Sequence, residues 1–456
     1  MVSGDKIVIV GAGPAGMEAA ITLVKAGLRP TVIDANARSG GQIYRRPPAD
    51  HRRSYKDIYG ADAAKARYLH DAFDAIRKRI DYRPDTRVWA ADKATLFLDS
   101  PEGPLALPYD KLILCTGATD RLFPILGWEA PGCYSLGGAQ IALKSQALAL
   151  GDPIGFVGAG PLLWLVAWQH LKAGSEVAGV WCTAPLKNLF VALPWLAARP
   201  GLALRGLGQI FALWRAGVPI KYGGRPLAVT ADAEGHVSGF QWSNGVKSSQ
   251  TPLRALALGW HLRSEAQLPH LLSVPKAQGQ NRPMVDGLGR SPTRGLYLAG
   301  DGLEIMGADA ARIAGRMAAV ALLRDTGCRQ TFVNKLKLVS DRIKHARMRV
   351  FSSGLARSFP PPEAETFLAL PETTVVCRCE NVRLAAVRAA AENWKCKDIN
   401  RIKALTRTGM GRCQGRYCSA TLMAIVAAET DLPISDIPEY RAQAPIYPLE
   451  IPNKQR

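Results

Sequence analysis

The chain has 456 residues, 48% of them hydrophobic, with 43 glycines and 31 prolines; that is long enough for two or three domains with their own cores and excludes fibrous and wholly disordered classes. Its formal charge of +20 first suggests nucleic acid, but the basic residues are scattered and no recognition motif accompanies them, so anionic cofactors, a negatively charged partner or an anionic membrane face fit better. No apolar run reaches the roughly 18 residues that span a bilayer, and the first apolar stretch leads into a glycine motif rather than a cleavage site, so the expected location is the cytoplasm, with peripheral contact at the inner membrane face as an extension.

Residues 6–10 form a short apolar run rich in β-branched side chains, the pattern of a buried parallel strand. Gly11-Ala12-Gly13-Pro14-Ala15-Gly16 follows at once, then a stretch of helical composition from Met17 to Lys25 and a second strand-like run ending in Asp34, 23 residues after the first glycine. Strand, G-x-G-x-x-G, helix, strand and acid in this order form a dinucleotide-binding unit. The glycines allow a tight turn and close approach of backbone to pyrophosphate, the helix N-terminus offers N–H groups to the phosphates, and Asp34 suits the ribose hydroxyls. These residues alone leave NAD and FAD both open.

With later motifs added, the chain resembles the two-dinucleotide-binding flavoproteins, which include thioredoxin reductase-like enzymes. Gly40-Gly41-Gln42 is similar to that group's flavin-approaching loop, and Leu112 to Ala118, with Thr116 and Gly117, to its crossover into the second domain. Gly295 to Gly302 is similar to its closing FAD motif, in which Asp301, after Gly300, would contact the ribityl chain. The Ala-rich helix expected from Ala308 to Leu323 would aim its N-terminus at the flavin and favour negative charge on the reduced ring. The resemblance therefore implies FAD at the first site.

Residues 154–163 repeat the motif with Gly158, Gly160 and Pro161 in place, but Leu163 stands where the third glycine belongs. After the next strand the ribose-binding acid is missing too: the position reads Cys182-Thr183-Ala184, with no arginine cluster for a 2′-phosphate. A nucleotide-binding fold is expected here, holding ATP, NAD(P) or nothing, with NAD(P)H disfavoured as the working reductant. No Cys-x-x-Cys accompanies it, so a disulfide relay is excluded. From 186 to 220 an apolar insertion interleaved with Lys187, Arg199, Arg205 and Arg215 reads as short helices packed on this domain, or as a contact with a partner subunit or a membrane surface.

Nine cysteines in a cytoplasmic chain point to metal or redox work rather than disulfides. Cys115, Cys133, Cys182, Cys328 and Cys396 are isolated and read as small buried side chains. After Pro360-Pro361-Pro362 come Cys377-Arg-Cys379 and, after 33 intervening residues, Cys413-Gln-Gly-Arg-Tyr-Cys418. Two close pairs brought together by folding suit an iron–sulfur cluster, and the spacing is a poor zinc-ribbon match. Gly409, Gly411 and Gly415 would let backbone N–H groups turn toward the sulfurs, and Arg378, Arg407, Arg412 and Arg416 would favour the more negative, reduced cluster.

The Cys-x-Cys half resembles the bacterioferritin-associated ferredoxin domain, a small helical 2Fe-2S module, whose second pair is usually closer than Cys413 and Cys418. The stretch Gly409 to Cys418, with Thr116 to Arg121 and Gly127 to Gly132, is similar over essentially the whole chain to the larger subunit of opine oxidases, hydrogen cyanide synthase and dye-linked proline or hydroxyproline dehydrogenases. That resemblance implies an amino-acid oxidase-like FAD partner on which the substrate is oxidised, admits a small ferredoxin-like third subunit, and gives this chain the role of passing electrons outward. No acid–base pair here claims the chemistry, so no catalytic residue is assigned.

The expected fold is α/β: two Rossmann-like dinucleotide-binding domains of the flavoprotein kind and a small helical C-terminal 2Fe-2S domain. The expected boundaries are 1–118 with 286–325 for the FAD domain, 119–285 for the second, 326–370 for a linker, 371–432 for the cluster domain and 433–456 for a Pro-rich tail. Two other readings stay open: an NAD(P)H-dependent FAD reductase feeding its own cluster, and a nucleotide-binding scaffold. Bleaching by NADPH alone would favour the first, and absence of flavin and iron the second.

Overall fold

Ile7–Val10 is buried along its whole length, as an uninterrupted apolar run must be when both faces of its sheet are covered: Ile7 and Ile9 pack among helix residues such as Met17 and Phe73, Val8 and Val10 against Val88, Leu96 and Leu98 of a β-ribbon. In the computed structural model, which describes residues 5–48, 53–277, 282–328, 332–393 and 397–449, it is the centre of a five-stranded parallel sheet. The order is Leu296–Leu298, Lys111–Leu114, Ile7–Val10, Thr31–Ile33, Asp81–Arg83, with Ile9 opposite both Ile113 and Val32. The chain runs outward on one side of Ile7–Val10 through the next two strands, then returns to its other side. The gap between Ile7–Val10 and Lys111–Leu114 is thus a topological switch point, where such sheets bind ligands. Helices Pro14–Lys25, Ala63–Ala75 and Ala308–Asp325 and an antiparallel ribbon (Arg87–Ala91, Thr95–Ser100, Gly103–Pro108) complete this unit, which comprises Met1–Ala118, Ser264–Ala346 and Arg441–Arg456.

A buried ion-pair network ties three of its helices together. Glu18, on Pro14–Lys25, is 6% exposed and accepts from Arg312 at 3.1 Å and Arg316 at 2.5 Å on Ala308–Asp325. Arg316 in turn donates to Asp341 at 2.7 Å on helix Phe332–Ser358.

The second unit, Thr119–Arg263 with Arg347–Tyr440, repeats the plan. Its parallel sheet runs Ile220–Tyr222, Val177–Cys182, Ile154–Ala159, Ala255–Trp260, Cys133–Ser135, with a ribbon of Arg225–Ala231, Val237–Ser243 and Ser248–Pro252. The insertion after Val177–Cys182 folds as helices Lys187–Val191, Leu193–Leu196 and Pro200–Arg215. The cysteine-bearing segment pairs Val375–Cys377 with Val382–Arg383 and adds helices Leu384–Asn393, Ile399–Thr406 and Ser419–Thr430. It shares one core with the sheet: Leu384, Ile402 and Leu422 belong to the same buried cluster as Phe156 and Leu258. Trp128 Nε1 donates to the Val375 carbonyl at 2.6 Å and Thr421 to that of Leu122 at 3.0 Å.

Three segments differ in character from their sequence reading. The stretch 326–370, read as a linker, is helical over Phe332–Ser358 and Ala364–Leu368, and Phe367 is buried. Residues 264–285, read with the second domain, group with the first unit. The Pro-rich stretch from 433 buries Ile437 and Ile446 and packs Tyr440 half-buried, among its described residues. No helix among the described residues is long and apolar enough to cross a membrane.

Candidate functional site

Two clusters of side chains stand out, one in each unit. In the first, the loop after Ile7–Val10 meets the loop 40–42 glycine to glycine. A Cβ on Gly41 would stand 2.8 Å from the Gly13 Cα, and the Gly40 N–H donates to the Ala12 carbonyl at 2.8 Å. Neither loop could hold this approach with a side chain at the crossing. Gly16 lets helix Pro14–Lys25 sit directly on the strand, since its Cβ would fall 1.8 Å from the Gly11 carbonyl oxygen. Gly315 does the same for Ala308–Asp325 against Ala15, at 2.0 Å.

Asp34, at the end of Thr31–Ile33, is buried. Its carboxylate accepts from the Ala12 N–H at 2.5 Å and from the backbone and side-chain N–H of Asn36, both at 2.8 Å. Burial pushes its pKa up while those hydrogen bonds pull it back. Gln42 is exposed and accepts from Arg45 at 2.9 Å. Arg45 itself was missed by sequence reasoning. Its Nε is buried without a partner, and its charge acts on Asp34.

The closing motif arrives at the same place. Gly300 packs on Ala15, where a Cβ would stand 2.8 Å from the Ala15 Cβ, and Gly302 lies beside Thr116 and Gly117. Thr116 Oγ1 donates to the Glu265 carbonyl at 2.7 Å. Asp301 accepts from the N–H of Met306 at 3.0 Å and Gly307 at 3.2 Å, so it fixes the turn into helix Ala308–Asp325. Burial raises its pKa and those two N–H groups oppose the rise. Gly307 caps the helix at φ +85°, with open space where a Cβ would project. The glycine motif, Asp34, Thr116, Gly117, Gly300 and Asp301, assigned to FAD from sequence, therefore lie at the carboxyl ends of four strands, with Gly41 packed on the first loop and Ala308 opening the last helix. A glycine cradle, a buried acid, an unpartnered arginine Nε and two helix N-termini fit an anionic dinucleotide.

The second loop is built differently. Gly158, Ala159 and Gly160 are all buried, whereas Gly11, Gly13 and Pro14 are half-exposed. The His261 ring lies over Gly160, with Nδ1 3.2 Å from where a Cβ would stand, and its Nε2 hydrogen-bonds the Phe359 carbonyl at 2.9 Å. Leu163 is fully buried. At the missing acid's position Thr183 Oγ1 accepts from Trp260 Nε1 at 3.0 Å. Pro161 remains exposed at the helix start.

In the same unit the four paired cysteines face one another. Cys377 ends a strand, Cys379 sits in the turn that follows, and Cys413 and Cys418 lie in the loop before helix Ser419–Thr430. The Cys418 thiol hydrogen-bonds to Cys377 and Cys413, and Cys379 to Cys413. With backbone help from the N–H of Gly409 and Glu380, the Cys377 pKa falls to about 6. Cys413 falls to about 5 through the same Cys418 thiol, helped by the N–H of Tyr417 and Gly415. Cys418, as the donor, is raised well above the usual thiol value, and burial raises Cys379. Asn381, Arg407, Gly409, Gln414 and Gly415 all have positive φ; left-handed residues concentrated in two loops turn successive N–H groups inward, the geometry of an anion nest.

Among the described residues no three His, Cys, Asp or Glu side chains already surround one metal-ion position. A 2Fe-2S cluster asks instead for two thiolates per iron, and this donor set suits it. Of the four arginines expected nearby, Arg407 is paired with Glu380 at 2.9 Å, Arg378 stacks on Trp128, Arg416 donates to the Cys413 carbonyl at 3.2 Å, and Arg412 is exposed. Sequence reasoning missed Tyr440, which packs against Gly409 and Gly415 and donates to the Thr408 carbonyl at 2.8 Å. Burial lifts the isolated Cys115, Cys133 and Cys182 to about 12, the state of inert thiols. Cys328 is half-buried, and Cys396 lies outside the described residues.

Residues 5–315 match the family described as pyridine nucleotide-disulphide oxidoreductase, and residues 375–428 the BFD-like [2Fe-2S] binding domain. Over 98% of its length the chain is 33% identical to an opine oxidase subunit of Rhizobium meliloti, covering 86% of that protein. It is also 33% identical to the hydrogen cyanide synthase subunit HcnB of Pseudomonas aeruginosa, over 90% of each chain. Among solved structures, L-proline dehydrogenase from P. horikoshii superposes with a TM-score of 0.69 at 17% identity, over 98% of this chain and 78% of that one.

Proposed function

Since the chain belongs to the pyridine nucleotide-disulphide oxidoreductase family, beside the opine oxidase and HcnB polypeptides, we propose that it is the electron-transferring FAD and iron–sulfur subunit of a heteromeric dehydrogenase acting on a secondary amine or imino acid. When bound, FAD supplies a centre that handles electrons singly or in pairs, and a 2Fe-2S cluster one that handles them singly. In this reading Gly11, Gly13, Pro14, Ala15 and Gly16 admit the pyrophosphate, and Asp34 holds the ribose. Gly41, Gln42, Thr116 and Gly117 line the flavin. Gly300 and Asp301 face the ribityl chain, and the helix start at Ala308 favours negative charge on the ring. Cys377, Cys379, Cys413 and Cys418 hold the cluster.

One observation carries the reading: the second glycine loop is buried under the chain's own His261 and lacks both the third glycine and the acid. A nucleotide such as ATP held at Gly158, Gly160 and Pro161 would be structural, and electrons must enter from another source. The source is an amino-acid oxidase-like FAD partner that oxidises the C–H beside nitrogen, with a small ferredoxin-like third subunit where the assembly has one. The acceptor is a quinone, dye or oxygen, and the chain works in the cytoplasm at the inner membrane face.

The test is the visible spectrum and the flavin and iron content of the purified chain, before and after NADPH, then with partner and amine. Flavin and cluster bands that NADPH leaves intact, and that partner plus amine bleach, are expected. Bleaching by NADPH alone would overturn the proposal in favour of a self-sufficient reductase.

A further inference from the structure

Helices Lys187–Val191, Leu193–Leu196 and Pro200–Arg215 turn an apolar face outward. Leu204, Leu207, Phe211 and Trp214 form one line along the third helix, about 15 Å long at 1.5 Å per residue. They are 54–67% exposed, and Phe190 and Val191 on the first helix are 66% and 65% exposed. The opposite faces are anchored. Leu213 is fully buried and Ile210 packs on the core of the unit. Ala192 and Leu196 form a small core with Phe351, and Trp195 lies against Gly354 under Arg357. The outward face is therefore held in place and left without a cover, and apolar surface so concentrated marks an interaction site.

Charge chooses the occupant. Between Glu176 and Asp232 lie six Lys and Arg and not one Asp or Glu. Lys187 opens the first helix and Arg215 ends the third, both exposed, and the exposed Phe211 and Trp214 rings stand 5.7 Å apart. With no acidic side chain in this stretch to balance them, these cations favour an anionic counter-surface. An apolar line with aromatic rings, accompanied by positive charge alone, is the pattern of a helix lying in the headgroup region of an anionic bilayer.

We propose that this three-helix insertion is the surface by which the chain lies on an anionic phospholipid membrane, with Leu207, Phe211 and Trp214 entering the acyl boundary and Lys187 and Arg215 meeting headgroups. The inference rests on the inner-face location proposed above and names the contact; it does not depend on the route of the electrons.

The experiment is co-sedimentation of the flavin- and iron-loaded chain with phosphatidylglycerol/phosphatidylethanolamine vesicles and with pure phosphatidylcholine vesicles. Binding about tenfold or more tighter to the anionic vesicles, weakened by salt, is expected. Leu207→Ser/Phe211→Ser/Trp214→Ser should weaken it by about tenfold or more, and Lys187→Glu/Arg215→Glu should remove the preference for anionic lipid, both variants keeping the flavin spectrum and melting temperature. Absence of vesicle binding by the parent chain, or binding unchanged in both variants, would overturn the proposal. So would intact lipid binding with lost co-purification of the oxidase-like partner, which would make the face a protein interface. None of these results bears on reduction by NADPH, so the two proposals fail separately.

Discussion

His70 carries no sequence signal, yet it is fully buried behind the loop 40–42, with Nε2 2.9 Å from the Tyr44 carbonyl and Nδ1 2.9 Å from the Tyr55 hydroxyl. Burial, and then Arg46, lower its pKa to about 4; burial lowers that of His261 to about 4 as well. An unfolded imidazole takes up its proton near pH 6.5, a folded one here only near 4, so between those values the unfolded chain binds the extra proton. Stability should therefore fall as pH drops from about 6.5 to 4, by about 1–3 kcal/mol per histidine, and be flat in this respect above 7. Urea unfolding at pH 7 and pH 5 measures it, and His70→Gln should flatten the slope. At the other site Cys377→Ser or Cys413→Ser should cost the chain its iron and sulfide while leaving the flavin spectrum in place, by iron analysis and visible absorption. These cysteines were legible because spacing alone exposes them. His70, Arg45 and Tyr440 were not, because their roles come from burial and from contacts that sequence distance conceals.

Close helix crossing is the controlling feature among the elements. Gly315→Ala would push a methyl to 2.0 Å from the Ala15 carbonyl and should destabilise the first unit by about 1–3 kcal/mol while loosening flavin retention. Gly206→Ala, in helix Pro200–Arg215 where a Cβ meets nothing within 4 Å, should instead stabilise by about 0.5–1 kcal/mol. Thermal melts with flavin release separate the two. Glu18→Gln leaves Arg316 partly buried and only half paired and should cost about 3 kcal/mol. The glycine loops and their strands could be read from the chain because each needs a particular residue at a particular place. The helix Phe332–Ser358 was concealed: its basic, weakly patterned sequence beside three prolines reads as loop, and its order comes from partners such as Arg316 and Trp195.

On the scale of the whole molecule, the cysteine-bearing segment and the second sheet are one folding unit, since Trp128, Leu122, Phe123 and Phe367 bridge them. Sequence order suggested separable domains because motif boundaries follow chemistry, while core boundaries follow apolar side chains brought together from distant positions. A chain truncated after Leu370 should therefore lose the second unit's cooperative melting transition rather than merely its iron. Stripping iron from the full chain should lower the melting temperature of that unit, in calorimetry, through the lost ligand linkage.

The interleaving of the first unit's segments also sets a timetable for biosynthesis. Lys111–Leu114 pairs with Leu296–Leu298, and the turn at Asp301 and the helix Ala308–Asp325 come later still. At about 5–20 residues per second on the ribosome, the nascent edge of Lys111–Leu114 waits roughly 10–40 s for its neighbour. Through that interval it is an unpaired, apolar strand edge, open to chaperones and to mispairing. Flavin can be enclosed only after the wait ends, so chaperone capacity during synthesis should limit how much flavin-loaded protein a cell accumulates.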